Sequence, residues 1–217
     1  MTLETFLNYF NRLSSYSAVI PLIIGIFYIR TFNLVLKVLF CYLFFSFLFE
    51  IYTIYLIQLN QYNLFSYYLF SVVEFSIFTF IYMTLFRFKQ KLSISIIFIL
   101  IFILVAYIDY NHINGHEHMN ELSRNVESII LIIFAILFFR HIILNPLKEN
   151  LVTSYSFWFN TAIIVYFSGS FFIFLFSNYM LDKSPSTFLA IYAIHSFFNI
   201  TFNILLAVAL TKKTNDA

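Results

Sequence analysis

Glu50, Glu74 and His195 stand inside long apolar runs of this chain, where an ionisable side chain is costly and needs a reason. Carboxyl and imidazole groups in hydrocarbon face a bundle interior, a partner or water, and they mark ligand sites, ion paths and proton relays. Each has polar company at helical spacing. Ser46 and Thr53 flank Glu50, Tyr67 and Ser71 precede Glu74, and Asn199 and Asn203 follow His195. Such spacings put each set on one helix face. Asn160, Ser168, Ser170, Ser177 and Asn178 add a less regular set in the adjoining run. Asn, Ser and His on these faces can bond helices to one another, or the same groups can line a pocket or pass protons. Buried without a partner, a carboxyl or an imidazole favours its neutral form. The expected polar pocket is Glu50, Glu74, His195, Asn199 and Asn203, with Ser168 and Ser170 beside it.

A second polar group lies between two apolar runs: Asp109, His112, His116, Glu117, His118, Glu121, Arg124 and Glu127. Its H-x3-H-x-H spacing could present imidazole nitrogens to Zn²⁺, Cu²⁺ or Ni²⁺. It matches no closed structural zinc site, so the expectation is a solvated loop without bound metal. Cys41 is the single cysteine, which excludes an intramolecular disulfide or a thiolate metal site.

The elements that position these residues are long apolar segments. Of the 217 residues, 62% are hydrophobic and 10% charged, far from the mix of a soluble domain. Seven segments stand out, at Leu13–Tyr28, Leu34–Leu59, Leu64–Phe86, Leu92–Ile108, Val126–Leu144, Tyr155–Leu181 and Phe188–Leu210. Most reach the ~20 residues that cross a ~30 Å hydrocarbon layer, and the first and fourth are the short ones. The expectation is an all-α, polytopic membrane bundle of seven spans forming one transmembrane domain over residues 1–217. Ahead of the first span, Leu3, Phe6, Leu7, Phe10 and Leu13 recur at helical spacing opposite Glu4, Asn8 and Arg12. That pattern predicts a short interfacial helix over residues 2–13; a simple extension of the first span is the other reading. Asn33 predicts a cap on the second span, Asn145-Pro146 a stop for the fifth, and Ser184-Pro185 a start for the seventh. Pro21 predicts a bend in the first.

The charges orient the bundle. One set of loops carries nine cations, Arg30, Lys37, Arg87, Lys89, Lys91, Arg140, Lys148, Lys212 and Lys213, and the other carries three, Arg12, Arg124 and Lys183. Cationic short loops stay cytoplasmic, so the N-terminus is expected outside and the C-terminus inside. Glu50 is ten residues before Asn60, Glu74 ten after Leu64 and His195 nine after Ser186. At a rise of ~1.5 Å per residue, each lies about 14–15 Å below the outer surface, and the three groups share one layer.

Several functions fail on particular residues. A retinal photoreceptor needs a Schiff-base lysine in its seventh span, and the first Lys after Lys183 is Lys212, past that span. An intramembrane zinc hydrolase of the ceramidase or adiponectin-receptor kind needs several histidines deep in its spans, and only His195 lies deep. No triple-helix repeat with kinking prolines suggests a sugar transporter of the three-plus-one-plus-three kind. No P-loop, dinucleotide fingerprint or nucleophile elbow is present, so neither a cofactor nor a nucleic-acid partner is expected.

Phe157-Trp158, Tyr166-Phe167-Ser168-Gly169-Ser170, Leu175-Phe176-Ser177-Asn178, His195-Ser196, Asn199-Ile200 and Asn203-Ile204-Leu205 carry one resemblance. Over about 50 residues, the C-terminal third resembles small seven-helix membrane proteins of Bacteroidota, similar in layout to bacterial seven-helix sensor modules. The resemblance implies a sensory or signalling accessory in the bacterial inner membrane, with output through a separate kinase or regulator. The expected partners are thus the lipid bilayer, a small or lipidic ligand taken from the outer side, and that regulator. A small proton- or ion-coupled transporter using Glu50 and Glu74 is the alternative, and an intramembrane enzyme the third.

Overall fold

A computed structural model of the protein describes residues 3–59, 61, 64–114, 118–144, 150–183 and 185–212, without the side chains of 181–183, 185, 186 and 188. Asn60, His116, Glu117, the Asn145–Pro146 stop, Lys148, the Ser184 cap and Lys213 lie outside the described residues. The chain is all-helical, in the order α1 (Leu3–Tyr16), α2 (Val19–Tyr28), α3 (Leu34–Gln58), α4 (Leu64–Leu85), α5 (Lys91–Ile108), α6 (Glu121–Leu144), α7 (Tyr155–Leu175), α8 (Ser177–Lys183) and α9 (Pro185–Leu210). Among the described residues, seven helical stretches are long and apolar enough to cross a membrane. The protein is a multi-pass membrane protein.

Both short spans are longer than the sequence predicts. The first runs from Leu3 to Thr31, because α1 leads into α2 rather than standing apart from the bundle. The break at Ser17–Ala18 has a local cause. Pro21 has no N–H to give the Ser17 carbonyl, which instead accepts from Ile20 N at 3.1 Å. The fourth span runs from Lys91 to Ile113, because α5 continues through a π-helical turn at Asp109–Ile113. The predicted Asn33 cap forms, with its side chain accepting from Leu36 N at 3.0 Å. The apolar run at 155–181 breaks at Phe176, where α7 gives way to the short α8.

Lipid tails are as apolar as the helices, so packing and interhelical hydrogen bonds must hold the bundle. Aromatic rings do much of this. Phe78 of α4 meets Phe159, Phe167 and Phe202 edge-to-face at 5.9, 6.3 and 6.3 Å, joining α4, α7 and α9. Below it, the Tyr82 hydroxyl donates to Asn160 Oδ1 at 2.8 Å, and Asn160 Nδ2 donates to the Ala135 carbonyl at 3.1 Å. One Asn thereby ties α4, α6 and α7. Large apolar side chains such as Phe27, Leu100, Ile143 and Phe172 are exposed, as a lipid-facing surface requires.

Gly169 allows α7 to approach α9, because a Cβ there would run into the Phe198 ring. Gly169→Leu is expected to cost about 1–3 kcal/mol, as overpacking does. Equilibrium unfolding in bicelles would measure it. Gly169→Ala should cost less, because the Phe198 ring can turn aside.

Candidate functional site

The polar stripes of α3, α4 and α9 converge. Ser46 and Glu50 of α3, Tyr67, Ser71 and Glu74 of α4, and His195 and Asn199 of α9 all line one cavity of about 280 Å³. Its wall is completed by Asn11, Ser14 and Ser15 of α1, by Asn120, Glu121 and Arg124, and by Tyr166 and Phe174 of α7. These are the halves of α3, α4, α6, α7 and α9 that end at the α3–α4, α5–α6 and α7–α9 connections. The cavity therefore lies toward that end of the bundle, on the same side as the start of α1.

On its wall is a buried ion network that joins Glu74, an expected site residue, to Arg124 and Glu127, which the expected site lacked. Arg124 of α6 pairs through Nη1 with Glu74 Oε2 and, at 2.9 Å, with Glu127 Oε2. The three side chains are 13%, 2% and 0% exposed; Arg124 and Glu74 line the cavity, and Glu127 lies behind them. Tyr42 of α3 donates to Glu74 Oε1 at 2.5 Å, and the Arg124 guanidinium lies 4.8 Å from the Phe174 ring centre. Arg124 Nη2 also reaches the Tyr166 hydroxyl at 3.5 Å. Glu127 Oε1 is buried and, among the described residues, without a hydrogen-bond partner. A lone carboxylate at this depth would be strongly unfavourable, and Arg124 offsets much of that cost.

Glu50 is placed differently. It shares the cavity wall with Ser15 of α1. Among the described residues the ion pairs are those of Arg124, and Glu50 meets no cation. Three aromatic rings pack on the adjoining wall: Phe49 lies edge-on to Tyr67 at 5.6 Å and stacks on Phe70 at 4.5 Å.

The remaining expected residues divide. His195 Nδ1 lies 3.1 Å from Ser170 Oγ, and its ring sits 5.2–5.7 Å from those of Tyr166, Phe174 and Tyr192. Ser170 is fully buried behind His195, off the cavity wall. Asn199 and Asn203 bond α9 to the first span, through Ser14 Oγ at 2.9 Å and Ser17 Oγ at 2.8 Å. Asn203 is thus a helix clamp away from the cavity. Ser168 is exposed on the opposite side of α7 from the site. The expectation that it neighbours the pocket is wrong, because a helix turns about 200° over the two residues to Ser170.

The first helix is also placed otherwise than its pattern suggests. Leu3, Phe6 and Leu13 are exposed on the outside of the bundle. The inward polar side is Asn11, Ser14 and Ser15, one step around from the Glu4, Asn8 and Arg12 stripe. Ser196 Oγ donates to Asn11 Oδ1 at 2.8 Å and Ser14 Oγ to the Ser196 carbonyl at 3.2 Å. The outward side is mixed, because Glu4, Asn8 and Arg12 are exposed beside Leu3, Phe6 and Leu13.

Both ends of the segment expected as a solvated loop fold into the bundle instead. Asp109 is fully buried at the end of α5 and accepts from Ser123 N at 2.8 Å and Ser123 Oγ at 2.5 Å. A carboxylate from the preceding helix thereby caps α6 and complements its dipole. Asn120 Nδ2 donates to Ser71 Oγ at 2.9 Å, and Asn178 of α8 holds both Met119 N and the Glu121 carboxylate. Arg124 and Glu127 are carried inside as a result. His112 is exposed and His118 half-buried. Among the described residues no group of three His, Cys, Asp or Glu could hold a metal ion.

No family model, curated protein or solved structure matches the chain.

Proposed function

We propose that the protein is a receptor-like sensory or signalling accessory that binds a small or lipid-derived ligand from the outer side of a bacterial inner membrane. One observation carries this reading. Residues from α1, α3, α4, α6, α7 and α9 converge on a cavity whose wall holds Glu50, Glu74, Arg124 and His195. Concave sites with an apolar lining and a few convergent polar groups are where small ligands bind. Six helices meeting at one ligand can also report it, because a change at the wall is shared by most of the bundle. The output would pass to a separate kinase or regulator, in keeping with the seven-helix sensor resemblance.

The outer-side assignment rests on charge. Arg124 is buried and ion-paired, so it leaves the count of loop cations. The asymmetry of nine to three becomes nine to two, which supports an outside N-terminus and an inside C-terminus. The cavity then lies in the outer half. Cysteine labelling in a Cys41→Ala background tests this. His112→Cys should react with an impermeant maleimide in intact cells, and Lys89→Cys only after permeabilisation. The reverse pattern would overturn the orientation and the outer-side route with it.

Native mass spectrometry from lipid nanodiscs tests the ligand reading. A small molecule should co-purify with the protein and be lost in Ser46→Trp, which fills the cavity without altering its charge. An identical, ligand-free spectrum for both proteins would leave the cavity a structural polar network.

A second reading, a proton-coupled transporter, is favoured by one detail. Two carboxyls share one guanidinium, and Glu127 Oε1 is buried without a partner among the described residues. Such a pair can take up and release a proton. In proteoliposomes holding a pH dye, that reading requires proton uptake that Glu74→Gln abolishes.

A further inference from the structure

We propose that the cavity takes an organic cation, a small molecule with a protonated or quaternary amine, and that Glu50 is its counter-ion. The inference rests on the cavity being a ligand site and names the ligand's chemistry.

The charge of the wall points this way. Among the described residues, Glu50, Glu74 and Glu121 line the cavity against one guanidinium, that of Arg124. Arg124 is already shared between Glu74 and Glu127, and its planar group covers the Phe174 ring. An anionic ligand would be a third negative group on a single guanidinium, and would stand near Glu50 as well. A cation instead meets a carboxyl that, among the described residues, no basic side chain pairs with. The Ser15 hydroxyl lines the cavity with Glu50 and supplies no charge.

The rings supply the second half of the site. Phe49, Tyr67 and Phe70 form a packed group on the wall, and Tyr192 lines the same cavity. Aromatic faces attract ammonium groups most when water is excluded, and a carboxylate among such faces selects amines over neutral molecules of the same shape. A volume of about 280 Å³ suits a molecule the size of an aryl-alkyl amine. His195 and Asn199, also on the wall, can hydrogen-bond a polar group of the ligand.

Three near-isosteric probes separate the possibilities: 2-phenylethylammonium, neutral 3-phenyl-1-propanol and anionic 3-phenylpropionate. Binding to the nanodisc-embedded protein is measured calorimetrically at one ionic strength. The cation should bind at least about tenfold more tightly than the other two, as a charge-assisted contact in a desolvated site requires. Glu50→Gln should remove that preference while binding of the neutral probe persists. Glu50→Asp, which withdraws the charge by one methylene, should keep part of it. Preference for the propionate, equal affinity for all three, or cation preference retained in Glu50→Gln would each overturn the proposal. Those outcomes leave the ligand-site reading standing. Failure of all three probes to bind would also overturn the proposal. The co-purified mass lost in Ser46→Trp then decides whether the ligand-site reading survives.

Discussion

Replacing Arg124 with Met is expected to cost about 3–5 kcal/mol, the cost of leaving a buried counter-charge without its partner. Glu74 and Glu127 are 2% and 0% exposed, so neither carboxylate can turn to water when the guanidinium goes. Tyr42 holds one oxygen of Glu74 but brings no charge. The variant should accumulate poorly and unfold at much lower denaturant in bicelles. The triple variant Arg124→Met, Glu74→Gln, Glu127→Gln removes the charges together, and should recover most of the loss because amides still hydrogen-bond. Glu74→Gln alone leaves Arg124 with Glu127 and should cost far less than Arg124→Met. If Arg124→Met proves as stable as the parent, the network does not hold these helices. If the triple variant is no better than the single one, packing of the guanidinium on Phe174 is the larger contribution.

Asp109→Ala is expected to cost about 2–3 kcal/mol, since one carboxylate both caps a helix and accepts further bonds. It takes the Ser123 N–H and hydroxyl on one oxygen and Asn114 Nδ2 on the other, and it is fully buried. Its loss frees the first turn of α6, which carries Arg124. Hydrogen exchange should therefore rise over Glu121–Arg124, and any ligand affinity should fall in step. Asp109→Asn keeps an acceptor for Ser123 N and should lose roughly half as much. Unchanged exchange in Asp109→Ala would show that α6 starts independently of α5.

The seven spans are legible in the sequence for an energetic reason. The cost of placing a segment in hydrocarbon is nearly a sum over its own residues, so runs such as Leu34–Leu59 declare themselves without knowledge of their neighbours. The depth of Glu50, Glu74 and His195 is legible for a related reason, because the helical rise converts residue number into distance. The structure places all three on one cavity.

What tertiary structure alone decided is which polar residues accompany them. Arg124 and Glu127 stand in a polar stretch indistinguishable by composition from a solvated loop. They are interior because Asp109, fourteen residues before Ser123, caps α6, and because Asn178, 59 residues after Met119, holds the connection down. Asn11, Ser14 and Ser15 point inward because α9 offers Ser196 and Asn199 to that face, some 185 residues later. Asn203 meets Ser17 and leaves the cavity to Asn199, although both lie on the same stripe. The transfer of a segment into lipid is a property of that segment. The choice of partner is a property of two surfaces, and in a medium that does not itself drive helices together it falls to hydrogen bonds and ion pairs between residues far apart in the chain.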